Sequence, residues 1–129
     1  SENYPAVSDF KLTSCIIDTA EKLQYTYVSG IIRSHDSFYC DRQEEIVGYW
    51  SNKGILASDM ETATLYTVAR LRGARASCIL NVVVPKGDSI KAGITQYQTI
   101  EGPAKEGERR EILLALEALK ALSTAEGRE

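Results

Sequence analysis

Two short runs hold the residues of this chain whose types and spacing suit chemistry. In Ser58-Asp59-Met60-Glu61, two acids flank a methionine where a short apolar stretch gives way to a helical pattern. The carboxyl end of a strand, at the start of a helix, is where open α/β sheets place ligand sites. Acids there have a second reading, as partners of the positive end of the helix dipole. The other run is His35-Asp36-Ser37-Phe38-Tyr39, also at the expected end of a strand. His35 beside Asp36 reads either as a catalytic dyad or as a surface pair. Phe38 and Tyr39 read either as core residues or as the ring that a base-binding pocket needs. Arg42-Gln43-Glu44-Glu45 follows, most simply the solvated start of a helix.

Several chemistries lack their residues. No Walker pattern and no strand-linked dinucleotide fingerprint occurs, and no G-x-S-x-G elbow supports a serine hydrolase. The three cysteines, Cys15, Cys40 and Cys78, are odd in number and widely spaced, which argues against a disulfide framework. With a single histidine and no close cysteine pair, no metal site is expected.

The elements that must position these runs follow from periodicity. Residues 8–24 carry Leu12, Cys15, Ile16, Ala20 and Leu23 at helical spacing, with Ser8 as the expected cap. Tyr25 to Arg33 is β-branched and aromatic and reads as a strand. A helix over 42–53 ends at Gly54, and Ile55 to Ser58 forms a short buried strand. A third helix runs from Asp59 to Arg72 with Met60, Ala63, Thr64, Val68 and Leu71 along a stripe, stopped by Gly73. Ala76 to Val84 reads as a strand covered on both faces. Residues 85–106 form a long loop. A last helix, 107–122, presents Ile112, Leu116, Leu119 and Leu122, and the polar tail after Ser123 frays.

Helices alternating with apolar strands define an α/β fold, a mainly parallel sheet flanked by helices. The 129 residues make one domain by length, with 43% hydrophobic and 26% charged residues and a net charge of −3. An acidic chain with scattered Lys and Arg is no nucleic-acid binder. No apolar run is long enough to span a membrane. The amino terminus has no signal pattern, so a cytoplasmic location is expected.

The runs together resemble the nucleoside phosphorylases, the family that includes uridine phosphorylases, hexameric-type purine nucleoside phosphorylases and methylthioadenosine nucleosidases. Ala57-Ser58-Asp59-Met60-Glu61-Thr62-Ala63-Thr64-Leu65 is similar to the family's E-M-E-x-A-x-L segment. Asp36-Ser37-Phe38-Tyr39 is similar to its D-x-F-Y segment, and Gly73 to Val84 to the strand after the motif helix. The resemblance implies a partial phosphorylase/hydrolase-like fold and reversible phosphorolysis, in which phosphate attacks C1′ of a nucleoside and the base departs. It implies a nucleoside substrate with inorganic phosphate as co-substrate, no other cofactor, and a homo-oligomer.

By the same resemblance Glu61 is the catalytic carboxylate and holds the ribose hydroxyls, with Met60 and Asp59 at the sugar. Phe38, Arg42, Gln43, Val83, Val84 and Lys86 fall at the base. Purine enzymes of the family carry an aspartate where this chain has Val84, preceded here by Val83, with Lys86 shortly after. That pattern favours a pyrimidine, and uridine is the expected substrate. A nucleosidase using water, or a non-catalytic nucleoside-binding or assembly module, are the alternatives. The family's phosphate-binding segments have no counterpart here, position 1 is Ser, and the only methionine is Met60. Residues 1–129 are therefore expected to be the carboxyl-terminal half of such an enzyme, inactive alone.

Overall fold

The computed structural model describes residues 4–84 and 103–127. The chain divides into two compact units, Ser1–Ser14 with Thr26–Cys78, and Cys15–Tyr25 with Ile79–Glu129. Helix α1, Phe10–Lys22, supplies residues to both. It begins two residues later than expected because Asp9 is its cap, not Ser8. The Leu12 N–H donates to Asp9 Oδ1 at 2.8 Å, satisfying a donor that the first turn leaves open.

In the first unit, strand β1, Ile32–Ser34, lies parallel to strand β2, Ala57–Asp59. The register pairs Ile32 with Ala57, Arg33 with Ser58 and Ser34 with Asp59. One further bond extends the pairing at each end: Leu56 N–H to the Ile31 carbonyl and His35 N–H to the Asp59 carbonyl, both 3.0 Å. The β1–β2 connection contains helix α2, Gln43–Ser51, which parallel strands require. The Arg33 guanidinium lies 5.8 Å from the centre of the α2 Trp50 ring. Gly54 closes α2 with a positive φ of 82°, the left-handed geometry that glycine adopts without a Cβ clash.

Helix α3, Thr62–Leu71, packs on β1. Gly73, at φ 70°, terminates it as expected: its N–H reaches the Arg70 carbonyl and the Ala74 N–H reaches that of Ala69, a complete Schellman closure. The inward face is not the expected stripe. Thr62 is buried, Ala63 and Tyr66 are half-buried, and Val68 and Leu71 are exposed. The Tyr66 hydroxyl donates to Cys78 Sγ at 3.0 Å, which orients that face.

The buried strand expected over residues 55–58 forms instead at Ala57–Asp59 and is not buried, and the other two expected strands shrink or vanish. The ladder takes only residues 32–34 from the run beginning at Tyr25. Ala76 to Val84 makes no ladder among the described residues, with Val82 64% exposed. A β-prone run becomes a strand only where a neighbour satisfies its backbone, and among the described residues β1 and β2 pair only with each other.

In the second unit, helix α4 runs Pro103–Ala125, longer at both ends than expected. Proline is favoured in the first helical turn, and Ala104, Lys105 and Glu106 are good helix formers, so the helix absorbs residues 103–106. The Glu106–Arg110 and Lys105–Glu108 pairs, each 3.0 Å, lie along this start. At the other end the Thr124 hydroxyl donates to the Lys120 carbonyl at 3.0 Å, inside the tail expected to fray.

The buried face of α4 is Leu114, Ala118 and Leu122, at i, i+4 and i+8, while Ile112, Leu116 and Leu119 are exposed. Ala20 of α1 is buried in the same unit, and the Cys15 thiol donates to the Ala118 carbonyl at 3.2 Å. The α1 segment ends on Gln24, which holds φ 56° where glycine is usual. The remainder of the loop expected over 85–106, residues 85–102, lies outside the described residues.

Candidate functional site

Because β1 and β2 are parallel, in register and paired, their carboxyl ends emerge side by side. His35 to Tyr39 leaves one, and Met60-Glu61 leaves the other. Both candidate runs therefore start from one edge of the first unit, as their placement at strand ends predicts.

The two acids have different surroundings. Asp59 is not in the first helical turn; it is the last residue of β2, and its carboxylate turns back on the elements around it. The Ser34 hydroxyl donates to Oδ1 at 2.5 Å. The Thr62 N–H donates to Oδ2 at 2.9 Å, and the Thr62 hydroxyl bonds to the same oxygen. The backbone N–H of Glu61 adds a smaller favourable interaction with this carboxylate. Three hydrogen bonds occupy most of the roughly four lone-pair positions that a carboxylate offers. Partial burial pushes the Asp59 carboxyl upward, but the donors from Ser34, Thr62 and Glu61 together outweigh it and hold the group below the ordinary aspartate range. Ser34 Oγ also accepts the Ala63 N–H at 2.9 Å, so one hydroxyl joins β1, β2 and the first turn of α3.

Glu61 stands at the cap position of α3 but makes no capping bond with its side chain. Its exposed carboxylate accepts the Met60 N–H at 3.1 Å. One donor among the described residues leaves this exposed carboxylate capacity for a ligand's hydroxyls. Met60 sits beside it, 36% exposed, offering a flexible apolar surface.

The remaining expected residues are spread more widely. Phe38 is 46% exposed and meets Tyr39 edge to face at 5.1 Å between ring centres. Arg42 forms a forked pair with Glu45, 2.6 and 2.8 Å, on the surface at the start of α2, with Gln43 next to it. This is the solvated helix start that the residue types suggest. Val83 and Val84 are half-buried in the second unit, and Lys86 lies outside the described residues. Among the described residues no three His, Cys, Asp or Glu side chains cluster as a metal centre. Nor is any described helix long and apolar enough to cross a membrane.

Sequence reasoning passes over Ser34 and Thr62. Thr62 is detectable in principle, since Asp-x-x-Thr places an acceptor three residues before a helical N–H. Ser34 carries no local signal: it meets Asp59 only through the pairing of two strands 25 residues apart.

Residues 1–113 match the Phosphorylase superfamily. A guanosine phosphorylase of Halorubrum lacusprofundi is 32% identical over 95% of this chain and 50% of its own length. A uridine phosphorylase of Thermococcus kodakarensis is 33% identical over 93% of this chain and 43% of its own. Among solved structures, uridine phosphorylase from Vibrio fischeri ES114 superposes with a TM-score of 0.78 and 39% identity, over 94% of this chain and 48% of that one. The chain thus spans about half the length of the relatives it matches. A match over so much of the chain, joined to a solved fold of the same kind, identifies it as a member of the phosphorylase superfamily, the nucleoside phosphorylase family of the uridine, guanosine and purine enzymes.

Proposed function

We propose that this chain forms the sugar-facing part of a nucleoside phosphorylase site, with Glu61 holding the ribose 2′- and 3′-hydroxyls. The observation that carries this reading is the contrast between the two acids at the end of β2. Asp59 has its carboxylate largely occupied by protein donors, and Glu61 presents one with room left. Cleavage of the glycosidic bond builds positive charge on the ribose ring as the base departs. A fixed carboxylate beside oriented hydroxyls stabilises that charge more than it stabilises the intact nucleoside, so it raises the rate and not only the affinity. Met60 covers the sugar, and Phe38 covers the base.

We take the base to be uracil. Val84, preceded by Val83, stands where the purine members of the family carry an acid, and a valine has no proton to give to a purine N7. The related proteins include both guanosine and uridine phosphorylases, so the base belongs to this proposal. The experiment compares uridine and guanosine, each with and without inorganic phosphate, in the natural polypeptide that carries this chain. Phosphate-dependent release of uracil is the expected result. Release of guanine alone overturns the choice of base, release without phosphate makes the enzyme a nucleosidase, and release of neither base rejects the phosphorylase reading.

A further inference from the structure

We infer that Ser34, Asp59 and Thr62 form a positioning brace for Glu61, in which Asp59 sets the backbone of the Met60-Glu61 turn and does not itself touch the ribose. The inference deepens the proposed function and rests on its assignment of Glu61 to the sugar. Its basis is the bonding at the strand ends.

The Asp59 carboxylate accepts the N–H of Thr62, the first residue of α3, at 2.9 Å, and so holds the main chain next to Glu61. The Ser34 hydroxyl fixes that carboxylate from the neighbouring strand at 2.5 Å and accepts the Ala63 N–H at 2.9 Å. The turn from β2 to α3 is therefore held at both of its ends. Only the Glu61 side chain is left to a single local bond. A side chain mounted on a fixed backbone loses less freedom when it engages a ligand, and small displacements of a catalytic group are costly in rate.

Substitution distinguishes this role from simple packing. Ser34→Ala removes both of the Ser34 bonds, and Ser34→Thr keeps the hydroxyl. Asp59→Asn replaces one accepting oxygen with an amide that faces other donors. In the natural polypeptide, with whichever of uridine or guanosine it cleaves and at a temperature well below melting, Ser34→Ala and Asp59→Asn should raise the nucleoside KM about fivefold or more. The phosphate KM should stay within about twofold, and Ser34→Thr should recover most of the loss.

The deciding arm is a double-mutant cycle with Glu61→Ala. If the brace acts through Glu61, adding Ser34→Ala to Glu61→Ala costs little further activity. Effects that multiply in full, or single variants with native KM and kcat and only a lower melting temperature, overturn the brace and leave the role of Glu61 standing. A Glu61→Ala enzyme with native kinetics overturns the ribose assignment and the brace together.

Discussion

Ser34 and Asp59 face each other on the last rung of the β1–β2 ladder, and the Ser34 hydroxyl donates to Asp59 Oδ1 at 2.5 Å. That bond turns an acid that looks available for a ligand into part of the scaffold. It leaves Glu61, two residues on, as the acid with capacity to spare. The distinction between two neighbouring carboxylates is the central structural result, and it bears first on pH.

Asp59 should make stability depend on acid. Its carboxyl titrates lower in the folded chain than in the unfolded one, because the donors from Ser34, Thr62 and Glu61 outweigh partial burial. The charged form is thus favoured on folding. The contribution is complete above the ordinary aspartate value of about 4 and is lost as pH falls through the folded value. Melting of native and Asp59→Asn proteins should therefore differ clearly at pH 7 and converge as the pH drops below about 4. A difference that stays constant down to pH 3 contradicts the assignment.

Glu111 should behave in the opposite sense. Burial pushes its carboxyl up and Glu108 adds repulsion, together outweighing a bond from the Asn81 backbone. Keeping it charged opposes folding, so stability falls as pH rises from the unfolded value near 4.3 through the folded one. Glu111→Gln should raise stability at pH 7 by up to about 0.5 kcal/mol after solvent screening, and bring no gain at pH 3. Thermal melts at the two pH values check this, and an equal gain at both would refute it.

Two helical glycines should respond oppositely to alanine. A Cβ at Gly48 in α2 meets nothing within 4 Å, so Gly48→Ala should stabilise by about 0.5–1 kcal/mol through helix propensity alone. A Cβ at Gly107 in α4 runs into the Asn81 side chain, whose amide donates to the Ala104 carbonyl at 2.6 Å. Gly107→Ala should gain nothing or lose stability, because displacing that amide costs about 0.5–1.5 kcal/mol. In an Asn81→Ala background the same change should become stabilising. Denaturant midpoints for the three variants and the double variant measure it.

These results mark where the sequence was legible. Gly54 and Gly73 end their helices as their types imply, because a left-handed closure is a local matter. The parallel pairing that brings His35 and Met60-Glu61 to one edge also follows from strand–helix–strand order. What failed was non-local. Tyr25 to Ile31 and Ala76 to Val84 have strand-like residues but form no ladder among the described residues, because a ladder needs a neighbour and β-propensity does not supply one. On α4 the helical period was right, but of the expected stripe only Leu122 is buried. Ile112, Leu116 and Leu119, spaced by four and three, and Leu114, Ala118 and Leu122, spaced by four, are both helical patterns, and only packing decides which is buried. Within the candidate site, the motif singles out Glu61 from sequence alone as a residue to test, whereas the occupation of Asp59 depends on Ser34 from another strand.

The most direct test of the ribose assignment compares uridine with 3′-deoxyuridine as substrates of the native enzyme and of Glu61→Ala, with phosphate present; if guanosine proves to be the substrate, the corresponding pair is guanosine and 3′-deoxyguanosine. Loss of one charged hydrogen bond to a hydroxyl is worth about 1.5–3 kcal/mol, or about 10- to 150-fold in kcat/KM. The native enzyme should prefer the ribonucleoside by about that factor. Glu61→Ala should lose a similar factor on the ribonucleoside and discriminate little between the two substrates. A Glu61→Ala enzyme that still prefers the ribonucleoside as strongly as the native one would show that the 3′-hydroxyl is held elsewhere and would contradict the account.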